Sequence, residues 1–211
     1  MVRVPAGGGA GGRETTDLLR AVYLEKIRRG AASGTGLRKT LEVSAGQLRA
    51  AVAAAKRRGL VEPKGGSVEL TAAGRRRLRV VMLGGAFEII HPGHIAAVTE
   101  ARSMGNALVV VVATDENVGK NKGRPPVTSQ AQRVKLVSSL RQVDLALPGN
   151  KGSIFDILLK IRPDVVALGY DQRLDLDVIV KEAAKRGLKI SAARLGTTIP
   201  EVKTSKILFS T

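Results

Sequence analysis

The only two histidines of this chain, His91 and His94, lie three residues apart in the stretch GGAFEIIHPGHI, residues 84–95. A glycine pair before them and a helix starting after Pro-Gly would place both imidazoles beside main-chain amides. Such a turn suits a phosphate, because glycine permits close approach to the backbone and a helix start carries partial positive charge. We expect both imidazoles to donate hydrogen bonds to phosphate. A zinc site, which needs further ligands that the sequence does not obviously offer, and a buried structural pair are the alternatives.

The composition restricts the other chemistry that is possible. The 211 residues are 44% hydrophobic, which is enough to build a core in one or two domains. Cysteine is absent, so disulfides, thiolate zinc sites and cysteine nucleophiles are excluded. Apolar runs stay well short of the roughly 18 residues of a membrane span, and the first residues lack the apolar centre of a signal peptide. We therefore predict a cytoplasmic protein without a membrane partner.

Positive charge is concentrated in the first part of the chain. The net charge is +17, and most of the excess of Lys and Arg over Asp and Glu lies within residues 1–80. A basic segment of this kind favours a polyanionic partner, with nucleic acid ahead of a membrane surface. The alternative is the solvated basic surface of a heat-adapted protein.

Residues 15–78 have the pattern of a small winged helix-turn-helix domain, preceded by a flexible, glycine-rich tail over residues 1–14. Apolar residues recur at helical spacing from Thr16, a second short helix fits residues 36–41, and Ser44 can cap a third. Two short extended pieces follow, joined across Gly65-Gly66 as in a hairpin. The run LVEPKGGSVELTAAGRRRL resembles the wing of prokaryotic winged-helix transcription regulators. Packing on a neighbour or dimerisation is the alternative function.

DNA contacts are expected on the third helix and on the wing. If the third helix enters a major groove, Gln47 and Arg49 lie nearest the base edges. Phosphate contacts are expected from Lys56, Arg57, Arg58 and Lys64. The first three stand at the end of the third helix, where they would alternatively interact favourably with the helix dipole.

Residues 79–211 alternate apolar strands with amphipathic helices. The predicted strands cover residues 80–83, 107–113, 144–147, 164–168 and 189–193. The predicted helices cover residues 93–104, 130–140, 154–161 and 175–186. This pattern indicates an α/β, Rossmann-like, doubly wound parallel sheet whose ligand lies at the carboxyl ends of the strands.

The stretch GGAFEIIHPGH resembles the Gly-x-Phe-x-x-x-His-x-Gly-His signature of the cytidylyltransferase-like nucleotidyltransferases. The resemblance continues through VVVVATDENVGKNKGRPPV, QRVKLVSSLRQVD, IRPDVVALGYDQ and KTSKI, and covers nearly all of residues 79–211. Within this superfamily the segments GKNKGRPPV and IRPDVVALGYDQ are most similar to archaeal FAD synthases, which transfer AMP from ATP to FMN. Glycerol-3-phosphate cytidylyltransferase, which would use CTP, and archaeal pantetheine-phosphate adenylyltransferase remain alternatives.

This resemblance implies roles for individual residues. His91 and His94 would hold phosphates in the transition state, while Lys120 and Lys122 would reach the triphosphate or the acceptor phosphate. Mg²⁺ would accompany ATP, and a homodimer is usual among the relatives. Other residues would bind the nucleotide, namely Gly84, Gly85, Ala86, Phe87, Gly169, Asp171, Thr204 and Ser205. Asp115, Lys122 and Arg133 would bind the acceptor, although Arg133 could instead pair with a carboxylate and Asp115 could shape its loop.

The chain departs from the family motif at two positions beside Phe87. The family usually has Thr or Ser and then Asp, where this chain has Ala86 and Glu88. The hydroxyl that would contact phosphate is therefore missing. These departures keep a further alternative open, in which the domain senses a nucleotide or a flavin and the protein is chiefly a transcription regulator.

Overall fold

A computed structural model describes residues 10–170, 172 and 174–196. The chain divides into two compact units, Met1–Leu78 and Arg79–Thr211.

The N-terminal unit consists of three helices, a hairpin and a short fourth helix. They are α1 (Ala10–Arg29), α2 (Gly34–Leu41), α3 (Ala45–Arg57), β1 (Val61–Lys64), β2 (Ser67–Leu70) and α4 (Ala72–Arg75). The predicted apolar face of α1 is buried, with Leu18, Leu19 and Val22 at 0–1% exposure. Although α1 has 20 residues, neither it nor another helix of the described ranges is apolar enough to cross a membrane.

Residues 10–14, which we expected in a flexible tail, are helical because α1 begins at Ala10. Once the packed part of a helix has formed, each further residue adds a hydrogen bond at small cost. The hydroxyl of Thr16 also donates to the carbonyl of Gly12, which stabilises this first turn.

Local signals fix the remainder of this unit. The side chain of Ser44 accepts from the Gln47 amide while the Gln47 side chain accepts from the Ser44 amide, a capping box that starts α3. Gly65 and Gly66 have φ of 53° and 77° between two antiparallel strands, as a tight hairpin turn requires. The predicted hairpin is thus present.

The C-terminal unit is built on a five-stranded parallel sheet. Its elements are β3 (Val80–Gly85), α5 (Pro92–Ser103), β4 (Ala107–Val112), α6 (Asp115–Lys122), α7 (Gln130–Ser138), β5 (Leu145–Pro148), α8 (Ile154–Ile161), β6 (Val165–Leu168), α9 (Leu176–Lys185) and β7 (Ser191–Arg194). The strand order is β5-β4-β3-β6-β7, with every neighbouring pair parallel. The predicted α/β, doubly wound sheet is confirmed.

The topology directs a ligand to one edge of this sheet. The chain runs outwards from β3 through β4 to β5, then returns to the other side of β3 with β6. This reversal is the switch point of a doubly wound sheet, and the carboxyl ends of β3 and β6 form a crevice there. The turn that holds both histidines leaves the end of β3.

One helix of the C-terminal unit was missing from the sequence prediction. Lys120 and Lys122, which lay outside the predicted helices, belong to α6, which is capped by Thr114 and by Gly123, the latter with φ of 69°. The helix has only eight residues, of which Val118 alone is buried. So short and polar a segment shows almost no apolar periodicity.

Candidate active site

The two imidazoles lie against each other at the start of α5. Their ring centroids are 4.0 Å apart, and the ring of the buried Phe87 lies 5.2 Å from that of His94. His91 is the N-cap residue of α5 but makes no capping hydrogen bond with its side chain, and Pro92 follows it. The positive end of the helix dipole is therefore left to an anion rather than to a protein side chain.

The two glycines at the end of β3 serve different purposes. A Cβ at Gly85 would lie 2.7 Å from Cε2 of Phe87, so this glycine is needed to seat the aromatic ring. A Cβ at Gly84 would meet no atom of the described residues within 4 Å, so this backbone is open to a ligand. Phe87 has φ of 50°, an unfavourable value for a side chain of this size.

His91 is held in its neutral form at pH 7. Burial, and secondarily the charge of Lys122, lowers the pKa of His91 below its ordinary value of 6.5. Its Nδ1 is buried and has no hydrogen-bond partner among the described residues. A neutral imidazole carries one N–H donor, which suits it to bind a phosphate oxygen.

Glu88 forms a buried ionic cluster beside the histidines. Its carboxylate accepts from Nζ of Lys122 and from a guanidinium nitrogen of Arg124, each at 2.6 Å, and from the amide of Val127 at 2.9 Å. Burial alone would raise the pKa of Glu88, but the hydrogen bonds from Arg124, Lys122 and Val127 outweigh it and lower the pKa to about 2. Glu88 is therefore ionised throughout the physiological pH range.

The two predicted lysines have different surroundings. Lys122 is bound to Glu88 and acts electrostatically on His91, so it belongs to the site at the end of β3. Lys120 has a side chain that is 70% exposed, and its ammonium pairs with Glu116 one helical turn earlier at 2.8 Å. Lys122 is therefore assigned to the site, whereas Lys120 is paired with Glu116.

Arg133 is a support of the site rather than a ligand of the acceptor. Its side chain is fully buried, and its guanidinium donates to the carbonyl groups of Ala86, Ala113 and Thr128 and to the carboxylate of Asp115. Of the two roles considered for Arg133, pairing with a carboxylate is the one observed. A guanidinium enclosed in this way does not reach a bound acceptor. Asp115, half exposed, supports the same loop.

The end of β6 is tied to the end of β3 by a residue that sequence reasoning missed. The side chain of Gln172 donates to the carbonyl of Gly84 at 2.8 Å and accepts from the amide of Gly169 at 3.3 Å. Arg194 in turn donates to the carbonyls of Gly169, Gln172 and Leu174. Gln172 stands in the quoted segment GYDQ, so its place in that motif was the available signal. Asp171, Thr204 and Ser205 lie outside the described residues.

The residues expected to contact DNA lie on the surface of the N-terminal unit, and some of them have hydrogen-bond partners within that unit. Arg49, Lys56 and Arg57 are exposed on α3, and Lys64 is exposed at the hairpin, 3.9 Å from Glu69. Two further residues are engaged within the unit. Gln47 takes part in the capping box of α3, and Arg58 donates to the hydroxyl of Thr15 at 2.9 Å.

The described residues contain no group of three or more His, Asp or Glu side chains arranged to hold a metal ion.

An α/β fold thus presents paired imidazoles and an anchored ammonium group near its switch point, which are donors that suit a phosphate. The chain belongs to the cytidylyltransferase-like family, whose model matches residues 82–207.

Relatives with assigned activities are similar to this chain over more than half of its length. A FAD synthase of Pyrococcus abyssi is 42% identical over 139 residues, which are 64% of this chain and 93% of that protein. A FAD synthase of Methanosarcina barkeri is 43% identical over 115 residues, 54% of this chain and 81% of that protein. A crystal structure described as a lipopolysaccharide core biosynthesis protein from Thermoplasma volcanium has a TM-score of 0.55 and 34% identity, over 58% of this chain and 98% of that one.

The lowered pKa of Glu88 predicts a pH dependence of stability. Because the folded pKa of about 2 lies below the ordinary value of 4.5, the ionised carboxylate stabilises the fold fully above pH 4.5. This contribution is lost as the pH falls towards 2. Between pH 4.5 and about 2, we expect the unfolding free energy of Glu88→Gln to fall less than that of the parent. Urea unfolding followed by circular dichroism measures this free energy. The exposed Asp177→Asn should keep the parent's decline, and an unchanged decline in Glu88→Gln would contradict the assignment.

Proposed function

We propose that this chain is an FAD synthase, which transfers AMP from ATP to FMN and releases pyrophosphate. The observation that carries the proposal is the pair His91 and His94 at the start of α5, with the ammonium of Lys122 anchored beside it. Membership of the family and identities of about 40% with archaeal FAD synthases support the same activity and favour FMN as the acceptor.

The reaction needs orientation and charge neutralisation rather than a general base. A phosphate oxygen of FMN attacks the α-phosphorus of ATP, and the bond from that phosphorus to the oxygen bridging to the β-phosphate breaks. FMN is already anionic at neutral pH, so no proton must be removed. The N–H groups of His91 and His94 bind the oxygens of the phosphates, and Lys122 offsets charge on the departing pyrophosphate or on the acceptor.

The remaining contacts belong to the same proposal. The open backbone at Gly84 lets the triphosphate approach the turn that continues through Ala86. Gly169 and Asp171 contact the nucleoside, and Thr204 and Ser205 contact the β and γ phosphates. ATP enters as its Mg²⁺ complex, which neutralises further phosphate charge. Lys120 binds a phosphate only if its ammonium leaves the carboxylate of Glu116. The proposal also includes assembly of the chain as a homodimer, which analytical ultracentrifugation tests.

A substrate panel tests the proposal. ATP and CTP are each combined with FMN, glycerol 3-phosphate and 4'-phosphopantetheine, and products are separated by chromatography. We expect FAD and pyrophosphate from ATP with FMN, and no product once EDTA removes the divalent ion. A reaction of CTP with glycerol 3-phosphate instead would identify a cytidylyltransferase. Ligand binding without turnover would favour a sensor that regulates transcription.

Each histidine should contribute strongly to turnover. We expect His91→Ala and His94→Ala to lower kcat for FAD formation by about 10² or more, the scale of a donor used in the transition state. Thermal unfolding should change little, and Lys160→Ala, on the exposed side of α8, should keep the parent's turnover. Normal turnover in both histidine variants would remove the turn from the active site.

For the N-terminal unit we propose a winged helix that binds duplex DNA. Support comes from the order of its elements, three helices followed by a hairpin, and from the basic side chains exposed on α3 and at the hairpin. With Gln47 engaged in the capping box, Arg49 is the better candidate for contact with base edges. Lys56, Arg57 and Lys64 would bind phosphates, and Arg58 would do so if released from Thr15.

Salt dependence tests this second proposal. Replacing both Lys56 and Arg57 with Ala in the full chain should weaken binding to every duplex sequence. The slope of log affinity against log salt should fall by about two units, since each phosphate contact contributes about one. Fluorescence anisotropy at several salt concentrations measures this slope. The control pair Lys160→Ala and Lys181→Ala removes the same charge from the other unit and should change little. Equal losses of DNA affinity in the two double variants, or no binding of the parent at low salt, would refute the interface.

A further inference from the structure

Glu88 receives all of its side-chain hydrogen bonds from one segment of the chain. Lys122, Arg124 and Val127 bind its two carboxylate oxygens, and the hydroxyl of Thr128 donates to its main-chain carbonyl at 3.4 Å. The carboxylate is fully buried, whereas this segment, residues 122–128, lies at the surface between α6 and α7. A buried anion thus fixes the position of a surface segment that carries two cations.

The described ion pairs of this cluster join one carboxylate to two cations, Lys122 and Arg124. Arg124 donates to both carboxylate oxygens and also to the carbonyl of Pro125. Among the described residues, Glu88 is the one hydrogen-bond partner of the Lys122 ammonium. Because an ammonium has three N–H donors, Lys122 keeps donors for a ligand while its direction is set by Glu88.

The position of Lys122 links the cluster to the histidines. Its charge acts on His91, whose pKa it helps to lower, so the ammonium lies within electrostatic range of the imidazole pair. Glu88 itself is three residues before His91, in the same turn. The carboxylate therefore connects the histidine turn directly to Lys122.

We propose that Glu88 is a positioning residue for adenylyl transfer, which orients the Lys122 ammonium towards the phosphates while Arg124 offsets the carboxylate charge. This role rests on the proposed function. Glu88 sets the direction of Lys122, and Arg124 keeps the charge of Lys122 available to the ligand.

The two neighbours of Lys122 should have different kinetic effects. Glu88→Gln removes the orientation but leaves both cations, so kcat should fall about tenfold while KM for ATP does not rise. Arg124→Gln leaves Lys122 as the one described cationic partner of the carboxylate, so the carboxylate offsets the charge of Lys122 more fully and KM for ATP should rise about tenfold. A residue that only maintained the fold would lower kcat in proportion to the folded fraction, so a tenfold fall that remains after correction for the folded fraction separates the two roles.

A double-mutant cycle completes the experiment. FAD formation from FMN and Mg²⁺-ATP is measured with the full chain for the parent, Glu88→Gln, Lys122→Met and the double variant, and circular dichroism gives the folded fraction. If Glu88 acts through Lys122, adding Glu88→Gln to Lys122→Met lowers kcat by less than twofold. Independent losses that multiply would overturn the proposal.

The remaining outcomes are also decisive. Should Glu88→Gln fail to fold, Arg124→Gln carries the test through its KM, and an unchanged KM in a folded Arg124→Gln overturns the proposal. An active parent with a multiplicative cycle refutes the role of Glu88 alone. A folded parent that makes no FAD refutes the proposed function, and the role of Glu88 with it.

Discussion

The site depends above all on the buried guanidinium of Arg133. From α7 it binds main-chain carbonyls that follow both β3 and β4, together with the carbonyl of Thr128 before its own helix. Its charge is compensated by Asp115 at the start of α6. Because the guanidinium is fully buried, losing its partners would leave an uncompensated buried charge, so these loops are coupled to one another. The segments that follow β3 and β4 are thus joined by one buried side chain.

A second buried charge, of opposite sign, holds the other side of the same turn. Arg133 binds the carbonyl of Ala86, and Glu88, two residues later, binds the segment between α6 and α7. Phe87 lies between these anchors with its unfavourable positive φ, and its ring covers Gly85 and contacts His94. Such backbone strain persists where the surroundings fix the conformation. The anchor at position 86 is a main-chain carbonyl, which Ala supplies as well as Thr or Ser.

The parts of this structure that were predictable are those with local signals. Near-continuous apolar runs identified the buried strands, and the glycine pair with two histidines identified the turn after β3. Helix α6 was missed because it is short and polar. The burial of Arg133 and the partners of Glu88 were not predictable, because ion pairs between residues 36 positions apart leave no periodicity in the sequence. The capping box of Gln47 does have a local signature, Ser-x-x-Gln, which favours a structural role over base contact.

In the proposed reaction the FMN phosphate displaces pyrophosphate directly, and the histidines act only as hydrogen-bond donors. The stereochemistry of transfer from ATP that carries sulfur at the α-phosphate in one known configuration measures this most directly. A single in-line displacement inverts the configuration at phosphorus in the FAD product. Retention would require two displacements through an adenylylated side chain, for which His91 or His94 would be the candidate, and would contradict the account.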